Sequence, residues 1–232
     1  MKLAIMQPYL FPYIGYFQLI NAVDTFVIYD DVNFIKKGWI NRNSILVNHK
    51  SFLFSASLKE VSQNKRINEI LIDTNANWQN ELLKTIEYSY KKAPCFNAVF
   101  PIIKSILTQN ETNLARFITY SLQTIAQYLT IKTNFIISSE IEKNNDLKGQ
   151  DKIIEICKKC NATSYINAIG GIELYNANDF LQQNIQLHFI KTNPIEYTQF
   201  KNEFVPWLSI IDVLMFNEVE KVKVMLNNYD LV

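Results

Sequence analysis

The sequence predicts an α/β fold: a mixed or mostly parallel sheet with helices on both faces and an inserted helical segment. Three observations carry this. Short runs rich in β-branched and aromatic residues alternate with stretches of helical periodicity in the first and last thirds of the chain, the pattern of β–α–β units. The middle of the chain, residues 78–130, carries helical periodicity alone. No internal repeat and no flexible linker interrupts the 232 residues, so one domain over residues 1–232 is expected.

Taken in order, residues 2–6 read as a short strand and 24–30 as a clearer one, with the 3/4 spacing of a short helix over 13–22 between them. Residues 44–47 and 51–58 read as a hairpin across Asn48-His49-Lys50, and 66–73 as a further strand. An amphipathic helix is expected over 78–92, with Leu82, Leu83, Ile86 and Tyr90 on one face. Helices over 97–108 and 112–129 continue that pattern. Alternation then returns: strand 134–138, helix 151–161, strand 164–167, turn at Gly170-Gly171, helix 178–183, strand 186–190. An aromatic-rich segment, 197–214, and a helix over 219–227 close the chain.

Composition narrows the function classes. Lys+Arg of 23 against Asp+Glu of 22 gives a net charge of +1, too little for a protein that lives on phosphate contacts to nucleic acid. No apolar run reaches the ~18 residues that span a bilayer, so no membrane insertion is expected. Gln7 and two prolines break the opening apolar patch too early for a signal peptide, which points to the cytoplasm. Three cysteines are an odd number for a disulfide scaffold. Cys157 and Cys160 match C-x-x-C but fall late in a helix, where the dipole raises a thiol pKa; no second pair completes a zinc site. With only His49 and His188 as imidazoles and no G-x-S-x-G elbow, neither a nucleophilic triad nor a metal site is indicated, and no cofactor is named.

The candidate site is concentrated in the first 43 residues. Gln7 follows the first strand directly and opens an aromatic turn with Tyr9, Tyr13 and Tyr16 around Gly15. That position is where parallel sheets gather ligands. The x-x-G-x outline there matches, with Tyr at both His positions, the H-x-G-H turn of adenylyl-transferring enzymes. Asp30 and Asp31 end the second strand and are the candidate catalytic carboxylates, Asp30 or Asp31 serving as a base if burial raises its pKa. Lys37, Trp39, Asn41, Arg42 and Asn43 follow as candidate binding residues, Arg42 suited to a phosphate. Gly149 and Asp151 stand at the start of the late helix, where an N-terminus suits an anion or Asp151 acts as a cap. Gly170 and Gly171 either allow close backbone approach by a ligand or make a plain turn.

Together these residues resemble the WbqC-like family of bacterial proteins. The resemblance is strongest in Met6-Gln7-Pro8-Tyr9 through Gly15-Tyr16-Phe17, Tyr29-Asp30-Asp31-Val32, and the run from Lys37 to Asn43. It continues through Ile156-Cys157, Thr163-Ser164-Tyr165, Gly170-Gly171, Tyr175 and Leu208 to Asp212. It implies a role in surface-polysaccharide (O-antigen, lipopolysaccharide) biosynthesis, as an N-acyl or aminoacyl transferase, with glycine one donor, acting on a nucleotide-linked amino sugar. The alternatives are an ATP-dependent ligase or nucleotidyltransferase and a non-catalytic sugar-nucleotide-binding module. The expected partner is a small molecule, a nucleotide-linked sugar. The aromatics Tyr197, Phe200, Phe204 and Trp207 either line the site or make a homodimer contact.

Overall fold

A computed structural model describes residues 1–201 and 203–232. Strand β1 (Lys2–Met6) leads through α1 (Ile14–Asn21) into β2 (Thr25–Ile28). β3 (Arg42–Val47) and β4 (Lys50–Ser55) form the expected hairpin. Its turn residues Asn48 and His49 take φ of 48° and 65°, the pair of left-handed residues that a two-residue hairpin turn needs. Of the strand expected over 66–73, only β6 (Leu71–Ile72) forms, paired with β5 (Leu58–Lys59), while Ile67–Glu69 winds into a single 3-10 turn.

The helical segment follows as α2 (Trp78–Tyr90), α3 (Phe96–Leu107) and α4 (Leu114–Tyr128), the last capped by the Asn113 side chain, which accepts from the Arg116 N–H. Then come β7 (Asn134–Ile137), α5 (Gly149–Lys159), β8 (Ser164–Ala168), α6 (Ala177–Leu181), β9 (Gln186–Thr192), α7 (Ile210–Phe216), α8 (Val219–Met225) and β10 (Tyr229–Leu231). Two of these elements escape periodicity. All seven residues of α7 are buried and six of them are apolar, so no polar stripe marks it as a helix. β10 is three residues at the chain end and owes its state to pairing with β9.

Among the described residues the main sheet has the order β10-β9-β8-β1-β2-β7, parallel throughout except for the edge strand β10. Renumbering the parallel strands in chain order gives 3-2-1-4-5, the doubly wound arrangement, whose direction reverses between β1 and β8. Every residue of β2 is buried because both faces are covered. Ala4, Phe26, Ile28 and Ile166 face the larger core, shared with α1, the helical segment and α7. Their neighbours Leu3, Ile5, Val27 and Tyr165 face the smaller core under α5 and α6, as period-two alternation requires. Among the described residues no helix is long and apolar enough to cross a membrane.

A candidate site at the strand-order reversal

A cleft of about 410 Å³ opens where β1 and β8 part. Its walls come from the ends of those strands and from the turns that leave them: Met6 and Gln7 on one side, Asn167, Gly170 and Gly171 on the other. Tyr9, Tyr13 and Tyr16 line it from the aromatic turn, and Tyr29 and Tyr175 complete it. The sequence placed Gln7, the three turn tyrosines and both glycines in a site, and the fold brings all six together.

Local chemistry fixes this shape. The Tyr16 hydroxyl donates to the Gln7 carbonyl at 2.8 Å, folding the turn back on β1. The buried Asn43 amide donates to the Phe11 carbonyl at 2.8 Å, and Asn41 donates to the Ala56 carbonyl at 3.0 Å. These two amides therefore shape the turn and the hairpin rather than face the cleft. At Gly15 a Cβ would stand 2.3 Å from a Tyr13 ring carbon and 2.6 Å from Thr192 Oγ1, so only glycine lets the Tyr13 ring lie across the first turn of α1. Burial pushes the phenols of Tyr9, Tyr13, Tyr16 and Tyr29 upward. They stay protonated at neutral pH and act as stacking surfaces and hydrogen-bonding groups, not as bases.

Opposite the turn, a Cβ on Gly171 would meet Asn167 Nδ2 at 2.6 Å, whereas one on Gly170 would meet nothing within 4 Å. Gly149 opens α5 with a φ of 53°, in the left-handed region that suits glycine. The next residue, Gln150, accepts from the Asn176 N–H at 2.5 Å and donates to Asp179 at 2.7 Å, tying the start of α5 to α6. Asp151 is exposed, and Ile153, two residues on, lines the cleft.

Asp30 and Asp31 do different work. Both are buried. The Asp30 carboxylate accepts from the Ser139 N–H at 2.9 Å and from its hydroxyl at 2.7 Å, clamping the turn after β7 to the end of β2. Asp31 pairs with Lys152 at 2.9 Å and Lys143 at 3.1 Å, all three side chains buried. Burial pushes the Asp31 carboxyl up, but Ser138, Lys152 and Lys143 outweigh it and hold it below the ordinary aspartate range. The raised pKa on which a base role was made to depend is thus absent at Asp31. The Lys152 ammonium also sits 5.3 Å from the Tyr29 ring centroid, so the ion cluster lies directly behind the cleft wall. Lys143 and Lys152 were not foreseen. Lys152 left a signal, since it shares a face with Ile156 one turn on and is a charge on an apolar helix stripe.

Lys37, Trp39 and Arg42 stand outside the cleft lining. Arg42 donates to the Lys37 carbonyl and lies 5.5 Å from the Trp39 ring centroid. Their loop is fastened beside Tyr9 by the Leu10 N–H, which donates to the Ile40 carbonyl at 3.0 Å. Cys157 is buried in the smaller core, and burial pushes its thiol and that of Cys160 upward, away from thiolate chemistry.

The model of the WbqC-like protein family matches residues 7–224. The chain belongs to that family. The match in this WbqC-like protein runs from the cleft's Gln7 through the helical segment to α8. A similar relative is an uncharacterized protein of Mycobacterium tuberculosis (strain ATCC 25618 / H37Rv), Rv1507c, 28% identical over 219 residues and covering 93% of each chain. No solved structure matches at a significant level. Residues from both ends of the chain, Gln7 to Tyr29 and Ile153 to Tyr175, converge on the cleft. Away from the cleft, α7 supplies Asp212, a fully buried carboxylate that accepts from Tyr90 at 2.7 Å, Tyr197 at 2.6 Å and Gln199 at 2.7 Å. That network ties α7 to α2 and to the segment after β9.

Proposed function

We propose that this WbqC-like chain is an N-acyl or aminoacyl transferase that modifies a nucleotide-linked amino sugar for a surface polysaccharide, the cleft being its sugar-nucleotide site. One observation carries the reading: a tyrosine-lined cleft opens where the strand order reverses, the place at which doubly wound sheets hold nucleotides. Tyrosine faces suit a base or a pyranose ring, and the amides of Gln7 and Asn167 suit hydroxyls. The first turn of α5, with Gly149 and Asp151, offers N–H groups to an anion on the same edge. Lys37, Trp39 and Arg42, on the loop beside Tyr9, serve contacts beyond the cleft mouth.

In this reading the sugar amine attacks the acyl carbon of an activated donor. The N–C bond forms, the bond from that carbon to the leaving group breaks, and the departing anion takes up the proton shed by nitrogen. Asp30 and Asp31 act as positioning residues that fix the wall behind Tyr29. The test is incubation with a panel of nucleotide-linked amino sugars and acyl or glycyl thioesters, read by mass spectrometry. A product heavier by one acyl group supports the proposal; no product across the panel, with the sugar nucleotides bound, favours a binding module instead. A second reading, ATP-dependent ligation or nucleotidyl transfer, draws on the Tyr13-Ile14-Gly15-Tyr16 turn standing at the same reversal point. Pyrophosphate released from ATP in the presence of glycine would select it.

A further inference from the structure

A second cavity, of about 330 Å³, lies on the far side of Tyr13. Tyr13 lines both hollows, its ring laid over Gly15 and its hydroxyl hydrogen-bonded with Thr192. The other walls are mainly apolar, with Ile14, Ile195, Phe204, Pro206, Leu208 and the Trp207 ring, and the half-buried Asn193 adds one amide. Two features mark it as more than a packing gap. Trp207 is 76% exposed and its backbone sits at a φ of 61°, a left-handed conformation that a bulky residue rarely adopts. Its ring nonetheless stands 6.2 Å from that of Tyr13 and lines the cavity beside it. The Tyr197 hydroxyl, the polar group of one wall, is already spent on Asp212 at 2.6 Å. Glu196, the charged side chain of the lining, is exposed. The interior thus offers a ligand apolar surface and aromatic faces, and its size is at the small end of ligand pockets.

We infer that this cavity is a second subsite, one that takes an apolar acyl chain, and that Tyr13 is the partition at which its ligand meets the occupant of the cleft. That the chain belongs to an acyl donor rests on the transferase reading; that the cavity binds an apolar chain does not. Displacing water from such walls favours a hydrocarbon over glycine, which has no carbon chain to bury.

The probe is the hexanoyl thioester of N-acetylcysteamine, titrated into the full chain and followed by calorimetry and tryptophan fluorescence. Saturable binding is expected. Trp207→Ala and Ile195→Glu should each weaken it about tenfold or more, with binding of a nucleotide sugar unchanged. Trp207 is exposed, so Trp207→Ala keeps the fold and carries the test should Ile195→Glu not fold. Absence of saturable thioester binding, or equal affinity in Trp207→Ala and wild type, would overturn the subsite. Thioester binding lost in Trp207→Ala while no nucleotide sugar binds the wild type would uphold the subsite and sink the cleft assignment instead.

Discussion

Replacing Asp31 by asparagine removes one charge with little change of shape and leaves Lys143 and Lys152 facing a neutral amide. The pairs are 2.9 and 3.1 Å long and every side chain involved is at most 7% exposed, so water does not take over the lost interaction. Breaking a buried pair in this way costs about 3–5 kcal/mol. At roughly 2–4 °C per kcal/mol for a chain of this size, the melting temperature should fall by about 6–20 °C. The companion variant replaces all three groups by apolar ones, Asp31→Leu with Lys143→Met and Lys152→Met. Because desolvating three charges is itself costly, that variant should be near wild type in stability. It should nevertheless bind nucleotide sugars poorly, since Tyr29 would lose the ammonium 5.3 Å from its ring. Thermal melts and denaturant titrations read both. An Asp31→Asn cost below about 1 kcal/mol, the range of solvent-exposed pairs, would refute the buried cluster.

Three more outcomes follow from the same geometry. Gly171→Ala should weaken nucleotide-sugar binding and destabilise by about 1–3 kcal/mol, since its Cβ would press on Asn167 at 2.6 Å, while Gly170→Ala should leave stability unchanged; equal losses on melting would contradict it. Asp30→Ala should cost about 2–4 kcal/mol by orphaning the Ser139 N–H and hydroxyl, and Asp30→Asn, which keeps one acceptor, should cost less on denaturant titration. Asp31 and Asp212 should bend the stability–pH profile in opposite senses. Asp31 is depressed when folded, so its contribution is present above the ordinary aspartate value of about 3.9 and is lost as pH falls below it. Burial raises Asp212 despite the three donors around it, so its contribution is full below about 3.9 and is lost as pH rises through its folded value. Unfolding midpoints against pH should therefore lose their acid limb in Asp31→Asn and flatten above it in Asp212→Asn; profiles parallel to wild type would contradict both.

Much of the sheet was legible in the residues. β1, β2, β7 and β8 stand within one or two residues of their expected bounds because β-branched runs bounded by turn residues are a strong local signal. The reversal in strand order was not legible, for it depends on where α5 carries the chain back to pair β8 with β1. α7 was hidden for a related reason, since burial on every side erases the period that marks a helix. The cleft was half visible. Gln7, the tyrosines of the turn and Gly170-Gly171 announced themselves by type and by position after strands. Asn41 and Asn43 looked like ligand contacts, yet their amides are taken up by the Ala56 and Phe11 carbonyls, a pairing across the hairpin and the turn that no local pattern encodes. Lys143 and Lys152 come to Asp31 from more than 100 positions away, and long-range ion pairs have no spacing to read.

The account rests on one claim, that the cleft between β1 and β8 holds a nucleotide-linked sugar. Calorimetric titration of the wild-type chain and of Gly171→Ala with a panel of nucleotide-linked amino sugars tests it most directly. Saturable one-to-one binding to the wild type, weakened about tenfold or more in Gly171→Ala, is the result predicted. Equal affinity in the two chains, or no binding of any panel member to the wild type, would contradict it.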